Sequence, residues 1–175
     1  MRDNRGISLI ELIAVMAILA ILSGGALISL NYLSFADVDK AMEKVDSSLS
    51  KLQMETVGTG YPYSYLAIRW NSTDKSYDIS NVTSTVELTP DNWESASKTI
   101  SNQKKIANEK VMITYSNEED GSNPIELRDD NPILLISFKP HSGAFLSSCR
   151  TIVLEGKSKK STLIMVAKTG NHYVE

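Results

Sequence analysis

One cysteine, two histidines and no excess of positive charge set the first limits on this sequence. Cys149 alone can close no intrachain disulfide, so whatever life the chain has outside the cytoplasm must rest on packing, and the redox compartment stays open. Lys plus Arg number 18 against 21 Asp plus Glu, a formal charge of -3, which gives nucleic-acid binding no support from bulk charge. His141 and His172 lack the spacing of a metal site, and no cofactor motif is present. Proline is absent before Pro62, and no charged residue occurs from Leu12 to Ala36. The first absence permits one long helix. The second excludes an ordinary water-facing surface there.

What fills that uncharged stretch is an apolar run longer than the roughly 18 residues that mark a membrane-spanning helix. Glu11 stands at its front edge. A carboxylate costs about 2.5–3.5 kcal/mol at mid-bilayer, less near the interface, and such residues are usually functional. Ahead of the run, Arg2, Arg5 and the amino terminus outweigh Asp3, which holds that end on the cytoplasmic side and sends the rest across. Ser23-Gly24-Gly25-Ala26 offers a signal-peptidase site, but a signal peptide has no use for Glu11.

The segment Arg5-Gly6-Ile7-Ser8-Leu9-Ile10-Glu11-Leu12 resembles the processing site of the type IV pilin-like proteins, the pilins and the pseudopilins of type II secretion. Their precursors carry a short basic leader ending in Gly, an apolar residue, Thr or Ser, two apolar residues, Glu, and an unbroken apolar helix. Ile7 departs from the Phe or Met most common at the first mature position. The resemblance implies a leader over residues 1–6, cleavage after Gly6 by a membrane-embedded prepilin peptidase, and methylation of the new Ile7 amino group. It also implies an assembly role for Glu11, whose carboxylate would meet the Ile7 ammonium of a neighbouring subunit in a filament core.

Beyond the run the helical period persists. Val38, Met42, Val45, Leu49 and Leu52 recur at spacings of four and three, with Asp39, Lys40, Glu43, Lys44, Asp46 and Lys51 between them. One helix from Ile7 to about Val57, stopped by Gly58 and Gly60, is the simplest reading, roughly 75 Å long. Its seam predicts a sheet or a coiled-coil partner. Gly24-Gly25 is its weak point, a place for a bend or local unwinding.

After Gly60 the pattern turns to strands. Tyr65 to Trp70 and Ser76 to Ser80 read as a hairpin, and Val82 to Leu88 as a third strand. Thr89-Pro90 reads as the N-cap of a short helix near Trp93, and Ser95 to Glu109 as polar and exposed. Strands are expected at Lys110–Tyr115, Ile133–Lys139, Thr151–Glu155 and Thr162–Lys168, the second of these central because it is apolar on both faces. Phe138-Lys139-Pro140, Gly143 and Thr169-Gly170 resemble, more weakly, the C-terminal portion of H-type minor pseudopilins.

Other constellations are thin. Cys149 with His141 lacks an orienting third group for thiol catalysis, and both histidines are expected to face solvent. The acidic loop of Glu118, Glu119, Asp120, Asp129 and Asp130 lacks the alternation of a calcium site. Lys157, Lys159 and Lys160 form the one compact basic cluster, with Lys104 and Lys105 elsewhere; DNA uptake by some H-type minor pilins makes DNA the rival ligand, against a solubility role.

These readings converge on an α+β, type IV pilin-like fold. Residues 1–6 are the leader, 7–35 the transmembrane and assembly half of the helix, and 36–175 an extracytoplasmic domain of helix 36–57 on a mostly antiparallel sheet, 62–175. The expected function is structural, not enzymatic: a subunit, of the minor kind, of a pilus or pseudopilus. Its partners would be other pilin subunits, prepilin peptidase and inner-membrane lipids, with no cofactor. A DNA-binding minor pilin and a single-pass anchored binding domain are the alternatives.

Overall fold

The structure, a computed structural model, describes residues 9–59, 63–130 and 133–175, with the side chains of all of these except 21–36. One helix, α1 (Leu9–Thr59), carries two antiparallel sheets. It passes through Gly24-Gly25 without a break in the helix, and it ends where Thr56 and Thr59 turn their hydroxyls back onto the carbonyls of Leu52 and Glu55. The end lies two residues beyond the one expected, within the fraying of any helix terminus.

The first sheet is built from β1 (Ser64–Asn71), β2 (Ser76–Ser84), β3 (Lys98–Asn108) and β6 (Ile133–Ser137) in the order β3-β2-β1-β6. Its hairpin turns at Asn71, whose Oδ1 accepts the backbone N–H groups of Thr73 and Asp74. The second sheet holds β4 (Met112–Ser116), β5 (Ile125–Glu126), β7 (Thr151–Glu155), β8 (Lys160–Met165) and β9 (His172–Val174), ordered β5-β4-β7-β8-β9. Every strand pair is antiparallel.

The apolar seam of α1 is the shared core. Val38, Ala41, Met42, Val45, Leu49 and Leu52 are all at most 2% exposed, while Asp39, Lys40, Glu43, Lys44 and Lys51 on the other positions face solvent. Leu66, Ile68, Tyr77 and Ile79 of the first sheet and Ile113, Ile152, Leu154 and Leu163 of the second close on that seam from both sides. Alternation along β1 sends Tyr65 and Ala67 to the opposite face, where Val82, Leu88, Trp93 and Ile133 form a second cluster. The first sheet is therefore covered twice, by α1 on one face and by the 85–97 connection on the other.

Five expectations need correcting. The chain forms two sheets, not one. Val82 to Leu88 is no third strand: β2 runs on to Ser84, whose hydroxyl receives the Val86 N–H and donates to the Ser97 carbonyl, turning the chain away. Thr89-Pro90 opens turns and no helix. Thr89 and Asn92 exchange reciprocal backbone-to-side-chain bonds, and the single Ala96 to Asn92 bond is not propagated, as expected when only Trp93 anchors the segment. The polar stretch from Ser95 is exposed from Thr99 to Lys105 as expected, yet it is a strand, β3, recruited by main-chain pairing to β2 across two register shifts with Asn102 at a φ of 53°. Ile133 to Ser137 lies at an edge, not the centre. Its burial comes from both clusters, the shared core taking Leu134 and Ile136 and the second cluster taking Ile133. The strand β9, in the C-terminal tail, carried too short a signal to be expected.

Candidate functional site

Gly6 and Ile7, and with them the cleavage and methylation expected there, lie outside the described residues. Glu11 is in the first turn of α1 and exposed, where the amino-terminal end of a helix dipole favours a carboxylate. Around it the surface is unlike that of a folded domain. Leu9, Ile10, Leu12, Ile13, Val15, Met16, Ile18 and Leu19 are each 53–79% exposed and spread around the whole helix rather than along one stripe. Burying side chains of this size is worth about 1.5–3 kcal/mol each, so this end of α1 calls for an apolar environment on every side. Among the described residues no helix is long and apolar enough to cross a membrane; the expected span also draws on residues 21–36, whose side chains lie outside the description.

The other end of α1 shows how the domain is fixed to the helix. Gln53 Nε2 donates to the carbonyl oxygens of Gly143 and Gly170, at 2.9 and 3.1 Å. Both glycines have positive φ, 67° and 73°, and a Cβ on Gly170 would overlap the Gly143 carbonyl oxygen. The turn after Phe138-Lys139-Pro140 and the turn at Thr169-Gly170, distant in sequence, thus meet under one helix side chain. One step along, His172 is not solvent-facing as expected. Its ring places Nε2 3.1 Å from Ser50 Oγ and 3.4 Å from Asp46 Oδ1, Nδ1 lies 3.5 Å from the Gly170 carbonyl, and the ring stands edge-on to Phe145. His141 does face solvent.

Gln53 and His172 were missed in the sequence because their signals are positional. Gln53 flanks Leu49 and Leu52 on the rim of the seam, where a polar side chain reaches over the edge of the core. No period marks it.

The remaining candidates resolve into structure. Cys149 is buried, donates to the Thr151 carbonyl, and has its pKa pushed up to about 12 by burial, which leaves a neutral thiol unsuited to nucleophilic attack. In the acidic loop, the Ser122 N–H lowers the Asp120 pKa, and Asp129 accepts the Trp70 indole N–H. Among the described residues no three His, Cys, Asp or Glu side chains group as a metal site. Of the basic turn, Lys159 reaches α1 and pairs with Asp39. Lys104 and Lys105 sit on exposed β3.

Residues 1–27 match the family model described as the prokaryotic N-terminal methylation motif, the hallmark of type IV pilin and pseudopilin leaders. Comparisons with curated proteins and with solved structures returned no match.

Proposed function

From that N-terminal motif we propose that the chain is a structural subunit, of the minor kind, in a pilus or pseudopilus-like filament, and not an enzyme. The match of residues 1–27 carries the reading, and the all-round apolar exposure of α1 from Leu9 to Leu19 supports it. The precursor sits in the inner membrane with its leader in the cytoplasm. Prepilin peptidase cuts after Gly6, Ile7 is N-methylated, and residues 7–35 exchange lipid contacts for contacts with neighbouring helices as the subunit enters the filament. The 36–175 domain, a pilin-like fold in this reading, decorates the outside.

Glu11 then meets the ammonium of a neighbour's Ile7. A buried ion pair rarely adds net stability over an apolar pair, but leaving one partner unpaired costs about 3–5 kcal/mol, so the pair sets axial register. The minor assignment draws on the Gly143 and Gly170 turns, which the H-type resemblance pointed to and which meet at Gln53.

The deciding experiment is N-terminal sequencing with intact mass of the mature protein. A start at methylated Ile7 is expected. A start at Met1 would make the chain an anchored domain and a start near Ala26 a secreted one, and either overturns the proposal. Glu11→Ala should be processed normally yet enter filaments poorly; entry at the wild-type level would refute the pairing.

A further inference from the structure

Among the described residues four strands form the edges of the two sheets, and three are guarded against pairing with another chain. β3 carries Lys104, Lys105 and a bulged register, while β5 and β9 are only two and three residues long. The fourth, β6, has no such guard. Its sequence Ile133-Leu134-Leu135-Ile136 holds no charge, no proline and no bulge against β1.

The direction of its main-chain groups follows from its C-terminal end. Leu146 donates to the Ser137 carbonyl and Lys139 donates to the Ala144 carbonyl, on either side of the Phe138–Phe145 bridge, so Ser137 points its backbone groups away from β1. In a strand the groups of alternate residues share a direction. Leu134 and Ile136 therefore pair with β1, and Leu135 turns its N–H and C=O outward, about 6.8 Å from those of Ser137. The segment from 144 to 146 that covers Ser137 then diverges through Ser147 and Ser148 towards β7, and among the described residues Leu135 has no partner strand on that side. A cleft of about 240 Å³ opens in the gap, lined by Leu135, Ser137, Tyr115, Leu146, Ser147 and Glu87 among others. Ser147 Oγ is buried there with no hydrogen-bond partner among the described residues. Among the described residues Glu87 is the sole charged side chain on the wall.

We propose that the free edge of β6 is a strand-acceptor site, taking a short extended segment of another polypeptide that adds main-chain hydrogen bonds at Leu135. Outward donors and acceptors at strand spacing complement a peptide backbone and little else. The walls favour apolar or β-branched side chains at alternate positions, and Glu87 favours a basic residue at one end. The site is independent of filament assembly through α1, and its failure would leave that reading untouched.

Backbone amide exchange measured by NMR on the full chain in detergent micelles tests the site, with capped hexapeptides alternating Thr and Val behind a terminal Lys as the probe. In the free chain the Leu135 amide should exchange far faster than those of Leu134 and Ile136. Saturating peptide should slow it by about tenfold or more. The same peptides N-methylated at alternate positions should have no effect, and Ser148→Trp, which blocks the cleft from its exposed rim, should not respond. A Leu135 amide already protected in the free chain, no slowing at millimolar peptide, or equal binding by the N-methylated peptides or by Ser148→Trp would each overturn the proposal.

Discussion

Gly170 is the most constrained of the described positive-φ glycines. Its φ of 73° costs an L side chain strain, and its missing Cβ makes room for the Gly143 carbonyl that Gln53 binds. Gly170→Ala should therefore lower stability by about 2–4 kcal/mol, read from thermal unfolding, because strain and overlap act together. Gln53→Ala leaves two carbonyls short of a donor and should cost about 1–3 kcal/mol in the same assay. Cys149 gives a pH signature. Its folded-state pKa stands at about 12 against an ordinary value of 9.0, so the fold favours the neutral thiol. That contribution is fully present below pH 9 and is lost as pH rises towards 12, where the unfolded thiol ionises first. Denaturant midpoints at pH 8 and pH 10.5 should fall further apart in the wild type than in Cys149→Ala. Thiol reagents should label Cys149 only as fast as the chain opens.

At the scale of elements, the helix and the seam were legible because their signal is repeated. Val38, Met42, Val45, Leu49 and Leu52 state the same period five times, and each is buried. Leu49→Ala should cost about 2–5 kcal/mol in chemical denaturation, whereas Met54→Ala, on the same helix and 74% exposed, should change little. The hairpin of β1 and β2 was legible for a like reason, as alternation between two polar-bounded runs. β3 was not, because Ser101 to Lys105 is polar throughout and its strand state comes from pairing with β2, a partner no local window contains. The doubly apolar β6 misled in another way: burial on both faces says nothing about which edge is paired. The helix start expected at Thr89 was chemically right, since its cap bonds form, but one turn without an apolar face does not propagate. Of the candidate site, Glu11 stood out as a charge in an apolar run, while Gln53 and His172 act only through turns folded against them from 90 and more residues away.

At the scale of the whole molecule, α1 is the element that both sheets touch. The first sheet meets it through β1 and β3, the second through β7, β8 and β9. The Lys159–Asp39 pair ties the β7–β8 turn to the start of the seam, but both side chains are partly solvated. A double-mutant cycle with Lys159→Ala and Asp39→Ala should give a coupling below about 1 kcal/mol that fades in high salt. The sheets are thus held by apolar packing along the helix and by the Gln53 clasp at its end.

That seam runs lengthwise, in line with α1, from Val38 to Leu52. In the proposed filament, tension would pull on α1 from its N-terminal half, and the load would reach the domain as shear along the axis. Knobs seated between two sheets share a shear load and must slide together, whereas a sheet fixed at one end would peel away contact by contact. The domain is mounted so that a tug on its stem meets its whole grip at once.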